Sequence, residues 1–471
     1  MTSSQHYMDT TPHETKSPNP GDRPIVSYSI VELNQKYSEG TLNPTAAVTS
    51  CLEAIEALDP TIGAWQAVYK EEAQEAAAIA SAEFEAGRRK GPFHGIPFAL
   101  KDIVEVEGKL TAAGCAEWSE RRSKVTAEIA QRLIAAGGIL IGKTKTVEFA
   151  FGGWGTNQRM GTPHNPWDPK VARTPGGSSS GSGAAVASGM IPCAIGTDTG
   201  GSVRLPAAFC GIVGLKTTEG LLPTNGIVPL SHTLDTPGPM ARTVTDVALM
   251  FEALCSESEN LDLSVEIAGM RIGSLSDEER IGIEAAQLDA YDRSLDQLAD
   301  LGAEIIQFRP AKPFEEMKEA AGVIVTAEGY FHHGPLMDDP ESLVDENVRP
   351  RFQAGADISS AQYVGALLQR DSDREVFSLA MQGIDALVTP TTPMLPQRLT
   401  ETDELLTPAR FTRAINYLSM CGTSVPSGVS NEGLPTSLQI ACVGGNEAIC
   451  LRISAAYERA RGALPAPPLF A

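Results

Sequence analysis

Apolar and polar positions recur along this chain with two different periods. Between residues 29 and 60 the apolar positions fall three and four apart, in SIVELNQKYSEG and TAAVTSCLEAIEALDP, and predict two amphipathic helices. Asn43-Pro44 is the expected start of the second helix and Asp59-Pro60 its stop. Short apolar runs beside glycine follow in GIPFALKDIVEVEG, GGILIGKT and GMIPCAIGTDTGG and read as strands, separated by helix-period sequence such as AEIAQRLIAAGG. Further helices are predicted over 281–302 and 359–383, and further strands in DALVTPTTP (385–393) and LPTSLQIACVG (434–444). Strands alternating with helices predict an α/β fold with a central mixed, mostly parallel sheet covered by helices on both faces. No repeat or linker divides the body, so residues 26–471 are expected to form one large domain. The polar, proline-bearing stretch 1–25 reads as a disordered tail.

Composition changes the picture in two respects. Of 471 residues 42% are hydrophobic, enough for a large core, and the net charge of −22 removes the basic face that nucleic-acid binding requires. The eight cysteines (51, 115, 193, 210, 255, 421, 442 and 450) show neither a C-x-x-C pair nor the close spacing of a disulfide scaffold. With no leader-like h-region and no apolar run long enough to span a bilayer, a cytoplasmic protein with reduced thiols is expected. No H-E-x-x-H or comparable His/Cys cluster suggests a metal, and no cofactor is expected.

Two motifs match their patterns and fail on context. GGILIGKT (137–144) fits Walker A letter for letter, yet Ile139, Leu140 and Ile141 occupy what should be a flexible phosphate loop, so the run reads as a strand. GSSSG (177–181) fits the G-x-S-x-G nucleophile elbow, which must follow a strand directly; the preceding NPWDPKVARTP has no strand alternation. That reading would also need His232, His332 or His333 as base.

Topology offers a better arrangement. SGSGAAVASG begins a helix near Gly181, MIPCAIG is the next strand, and TDTGGS the loop after it. In a βαβ unit the start of the helix and the end of the following strand share one sheet edge. Ser178, before the helix, is thereby brought toward Ser202, after the strand. Lys101 ends the apolar strand IPFAL, so it reaches the edge where open α/β sheets bind ligands.

The block GGSSSGSGAAVASGMIPCAIGTDTGGSVRLPAAFCGIVGLK (176–216), with GPFHGIPFALKD and GKTKTVEFAFG upstream, resembles the amidase signature family. The likeness is close over about 28–255 and looser over 378–460. It implies a core of about 85–255 that carries the chemistry, with specificity expected from the variable region 300–375. Matched motif to motif, the family's catalytic lysine, cis-peptide serine and nucleophilic serine fall on Lys101, Ser178 and Ser202. The chain departs from the family at Ser180, where glycine is usual, and at Thr217, where proline is usual. The A-type subunits of tRNA-dependent amidotransferases carry small polar residues where Trp154 stands.

The chemistry explains the residue types. A lysine at its ordinary pKa would cost about 4.6 kcal/mol to supply as a neutral amine at pH 7. Burial offsets this, and the flanks of Lys101 (Pro97, Phe98, Ala99, Leu100, Ile103, Val104) are apolar. Ser178 would relay the proton between Lys101 and Ser202. Thr199-Gly200-Gly201-Ser202 can aim backbone N–H groups at a tetrahedral oxyanion. Asp198 and Arg204 flank that loop and are placed to pair behind it. Trp154, Gly153 and Ser179 are the expected substrate contacts, with Ser179 and Ser182 also able to hydrogen-bond around Ser178 or cap the helix.

The expected function is hydrolysis of a carboxamide-type C–N bond through an acyl-enzyme on Ser202, releasing ammonia, an amine or a hydrazine. Amides, hydrazides, carbamates and ureas are all open as substrates. The alternatives are the glutaminase-type component of a tRNA-dependent amidotransferase and, further off, a nucleotide-binding module at 137–144. The expected partner is a small amide-type molecule, with no nucleic acid or membrane, and a homodimer is the assembly to test.

Overall fold

The computed structural model describes residues 23–255 and 261–470. The stretch expected to be a disordered tail therefore lies outside the described residues, apart from its last three. Eleven strands form one sheet: β1 (Trp65–Val68), β2 (Pro97–Lys101), β3 (Ile139–Thr144), β4 (Cys193–Asp198), β5 (Val213–Lys216), β6 (Thr236–Ala241), β7 (Arg271–Leu275), β8 (Glu304–Phe308), β9 (Ala386–Pro390), β10 (Cys421–Val429) and β11 (Pro435–Cys442). Their spatial order is β1-β3-β2-β4-β6-β5-β10-β11-β9-β7-β8. The α/β class and the mixed sheet match the sequence reading; the expected preponderance of parallel pairs does not. Parallel pairing is confined to β3-β2-β4 and β9-β7-β8, and every other neighbouring pair is antiparallel. The connections from β5 to β6 and from β10 to β11 hold no helix, so each of these strands turns back beside its predecessor instead of crossing over.

Side-chain alternation divides the core between the two faces of the sheet. Phe98 and Leu100 of β2, with Cys193 and Ile195 of β4, enter one apolar cluster, whereas Ala99 and Ala194 between them enter the other. The second face is covered by the helices Pro44–Ile62, Lys70–Glu85 and Ser180–Ala187, and the first by Val244–Leu254 among others. The first predicted helix is Ile30–Glu39, started by a capping box of Ser29 and Glu32. The second starts after Asn43 as expected but does not stop at Asp59-Pro60. It runs through Pro60 to Ile62 and ends on left-handed Gly63. Pro60 removes one donor from the last turn only, and the Asp59 carboxylate takes up the N–H groups of Ala64 (2.6 Å) and Trp65 (3.2 Å) beyond it.

The Walker-like stretch is a strand, as its apolar run requires. Lys143 faces inward from β3, where Nζ donates to Thr111 Oγ1 (2.6 Å) and pairs with Asp102 (3.4 Å), so its charge is engaged inside the fold rather than offered to a phosphate. Among the described residues no helix is long and apolar enough to cross a membrane.

The helix Ser180–Ala187 consists of small residues and is buried throughout. Its first residue, at the position where the resembled family carries glycine, leaves a shielded hydroxyl with no partner among the described residues. Replacing Ser180 by Ala should therefore stabilise the protein by about 1 kcal/mol, because the unmet hydrogen bond disappears and alanine is the better helix former. The measurement is the thermal midpoint, expected to rise by about 1 °C for a chain of this size; a fall would show that the hydroxyl has a partner.

Candidate active site

Three parallel strands end together where the chemistry was expected. Lys101 is the last residue of β2, and Leu100 beside it pairs with Ile195 of β4, which places Thr197 of β4 one step beyond Lys101. Lys101 Nζ donates to Ser178 Oγ (2.7 Å) and to Thr197 Oγ1 (2.9 Å). The amine has no access to solvent. Burial pulls its pKa down to about 7, against the opposing pull of the Asp235 and Asp198 carboxylates. Burial thus favours the neutral amine far more than in a lysine at its ordinary pKa.

Ser178 sits in the loop before the small-residue helix, and the peptide bond Gly177–Ser178 is cis. The loop is tied on both sides. Gly176 and Gly177 donate to Trp154 O (3.1 Å) and Gly153 O (2.8 Å), and Ser178 O accepts from Val147 N (3.2 Å) and Thr146 Oγ1 (3.0 Å). Gly176 has φ +77, and a Cβ there would lie 2.7 Å from Leu205 O, so only glycine fits. Ser179 N donates to Ser202 O (3.2 Å), which joins the cis-serine loop to the segment after β4. Of the three groups Lys101, Ser178 and Ser202, only Ser202 has any surface exposed, at 7%. It faces a cavity of about 30 Å³ lined also by Phe151, Gly153, Thr199, Gly200 and Arg413.

The loop Thr199–Ser202 is held from behind by a buried ion pair. Arg204 Nε and Nη2 donate to the two oxygens of Asp198 at 3.0 and 2.9 Å. The remaining guanidinium donors reach Gln439 Oε1 (2.6 Å), Thr412 O (2.9 Å) and Asn416 Oδ1 (2.6 Å). Burial would raise the Asp198 carboxyl, but the Arg204 charge, with Lys216 and Asn416 behind it, holds it well below the usual carboxylate range. Asp198 Oδ1 also accepts from Gly201 N (2.8 Å). That bond corrects one expectation: the Gly201 N–H is already committed, which leaves Thr199, Gly200 and Ser202 as the donors able to meet an oxyanion. Thr199 Oγ1 in turn donates to Asp235, whose carboxylate accepts from Leu230 N (2.9 Å) and Ser231 N (3.0 Å).

Other expected contacts fall elsewhere. Gly153 lines the cavity, but Trp154 packs with Phe209 and Ala208, its Nε1 donating to Asp403 O (3.1 Å) and Leu406 O (2.9 Å). Its indole is a fastener for the 403–406 segment, because a buried indole N–H must find an acceptor. Ser179 turns to Thr197, its Oγ donating to Thr197 O (3.3 Å), and Ser182 Oγ shares a hydrogen bond with Thr144 Oγ1 (2.7 Å). His232 and His332 contact each other (3.3 Å), and His333 hydrogen-bonds Pro229 O (2.8 Å); none of the three bonds to Ser179. Sequence reasoning missed Thr197, Asp235, Asn416 and Arg413. Thr197 was legible in principle, as a polar residue one strand-step beyond Lys101; Arg413 and Asn416 come from a helix more than two hundred residues downstream.

A family model described as Amidase matches residues 46–451. The chain belongs to the amidase family. Among curated relatives of this amidase, a 2-amino-5-chloromuconic acid deaminase of Comamonas testosteroni is 34% identical, covering 94% of this chain and 98% of its own length. The A-type subunit of the glutamyl-tRNA(Gln) amidotransferase of Salinispora arenicola is 32% identical, covering 94% and 99%. Among solved structures, an amidase superposes with a TM-score of 0.86 at 29% identity, covering 92% of this chain and all of its own. A protein from a vestigial complex that bears on the origins of an s-triazine catabolic enzyme superposes at 0.85, also at 29% identity, covering 91% of this chain and 98% of its own.

The buried ion pair generates one stability prediction. Arg204→Leu strips Asp198 of its counter-charge in a site closed to water and should cost about 3–5 kcal/mol, read from the denaturant midpoint. Adding Asp198→Asn to that variant should restore part of the loss, since the two side chains act as one unit.

Proposed function

We propose that this amidase hydrolyses a carboxamide-type C–N bond through an acyl-enzyme on Ser202. The observation that carries the reading is the contact of a buried, solvent-free Lys101 amine with Ser178, while Ser202, tied to the same loop, faces the cavity. Neutral Lys101 accepts a proton from Ser178 Oγ as Ser178 takes the proton of Ser202 Oγ. The freed Ser202 oxygen attacks the carbonyl carbon, and the carbonyl π electrons move onto oxygen. The N–H groups of Thr199, Gly200 and Ser202 stabilise that oxyanion. On collapse the C–N bond breaks and the proton returns through Ser178 to the leaving nitrogen. Water attacks the ester by the same proton path and regenerates the serine. Thr197 holds the amine in line without titrating, and Asp198-Arg204 fixes the loop that presents the donors.

A second reading, the glutaminase component of an amidotransferase, is favoured by the curated relative of that description. Trp154, which stands where such subunits carry small polar residues, lies in packing rather than in the cavity and so does not count against this reading. Co-purification of stable partner proteins, with glutaminase activity only in their presence, would select it.

Two measurements test the main proposal. Incubation with a panel of amides, hydrazides and carbamates should leave an acyl adduct on Ser202 detectable by mass spectrometry, and Ser202→Ala should abolish both adduct and turnover; substantial residual turnover overturns the assignment. The active amine is the neutral one, so kcat/KM should rise with pH through about 7 and fall about tenfold per unit below it. A flat profile from pH 5 to 9 would exclude Lys101 as the base.

A further inference from the structure

Around Ser202 the cavity is mostly apolar, walled by Ala150, Phe151, Leu205, Leu230, Val325 and Ala409, and it contains one basic side chain, Arg413. Arg413 comes from the helix Arg410–Tyr417. Its Nε is shut off from solvent with no hydrogen-bond partner, and among the described residues its guanidinium has no hydrogen bond and no ion pair. Glu315 and Glu319 attract it and Arg351 repels it only at longer range. The neighbouring arginines are different. Arg204 is saturated by the partners described above, and Arg351 donates to Phe151 O (2.7 Å) and pairs with Glu404 (2.7 Å).

The side chain is also held in place. A Cβ built on Gly200 would lie 3.2 Å from Arg413 Nε and 3.4 Å from its Cγ, so the arginine stem lies directly against the oxyanion loop. Its Nη1 reaches Gly322 of the helix Phe314–Asp338, where a built Cβ would be 3.6 Å away. The charge therefore lies against the loop that carries Ser202, in the same cavity. A half-buried guanidinium that makes no hydrogen bond has lost part of its hydration without replacement, and its planar fork matches a carboxylate with two parallel hydrogen bonds. The protein supplies that counter-charge to Arg204 and withholds it from Arg413.

We propose that Arg413 binds a carboxylate of the substrate, so that the bond cut at Ser202 belongs to a short amide that also carries a carboxylic acid, such as a monoamide of a short dicarboxylic acid. The inference rests on the reading of Ser202 as nucleophile for its position relative to the scissile bond. A single arginine balances one carboxylate charge, and because its stem lies against Gly200 of the loop that carries Ser202, the carboxylate and the scissile bond must be close together, which favours a compact ligand.

The test compares succinamate with butyramide, an uncharged amide of the same length, in the full-length protein and in Arg413→Met and Arg413→Lys. The ratio of kcat/KM for succinamate over butyramide should fall about 10- to 100-fold in Arg413→Met, mainly through KM, and recover in part in Arg413→Lys. Independently, succinate should bind the Ser202→Ala protein in calorimetry and lose affinity by a similar factor when Arg413→Met is added. The calorimetry needs no acylation: Arg413-dependent succinate binding without an adduct on Ser202 would refute the nucleophile and keep the carboxylate site. Succinate binding that is absent, or that ignores Arg413, overturns the proposal, as does an unchanged selectivity ratio.

Discussion

A lysine amine closed off from water at the end of β2 is the constraint on which the rest of the site depends. An ammonium ion in that position would forfeit its hydration, so burial itself favours the neutral amine that the proposed relay through Ser178 to Ser202 would need. Everything adjacent serves to keep that amine dry and aimed. Thr197 meets it from the next strand, and Ser178 meets it from a loop sutured to residues 146–154 on one side and to Ser202 on the other. The small-residue helix behind that loop lets the backbone approach the sheet closely enough for both contacts.

The second organising element is charge, handled in two opposite ways within one site. Asp198 and Arg204 are fully buried and fully satisfied, and their pairing fixes the loop after β4 by taking the Gly201 N–H as well. Arg413 is a cation of the same type left without a partner in the adjoining cavity. A saturated pair organises structure, since neither member can change partners cheaply. An unsaturated one leaves its binding capacity to whatever enters the cavity.

Much of this was legible in the chain before folding. Lys101 at a strand end, Ser178 before a helix and Ser202 after the following strand are placed together by βαβ topology alone, and the structure brings them to one edge. The middle of the sheet was not legible. β6 reads TPGPMA, two prolines that local rules take as strand breakers, yet it pairs with β4 through Pro237 and Pro239. Its neighbours supply the pairing and the burial that its own residues do not advertise, and with it come the antiparallel pairs that alternation of strands and helices could not foresee. Trp154 failed for a related reason: an aromatic residue near a catalytic motif is equally suited to line a cavity or to anchor a loop, and only the positions of Asp403 and Leu406 decide between them.

By itself the sequence determined the class of fold, the family and the three side chains of the proposed chemistry, because those depend on local period and on spacings short enough for one supersecondary unit to enforce. The tertiary structure alone decided which N–H groups remain free for an oxyanion, that Thr197 and Asp235 bear on the lysine, and that Arg413 stands unpaired beside Ser202. Those are properties of contacts between distant segments, such as the one between Gly200 and Thr412, 212 residues apart. Whether a charge is satisfied is settled only when every distant donor and acceptor has taken its place around it.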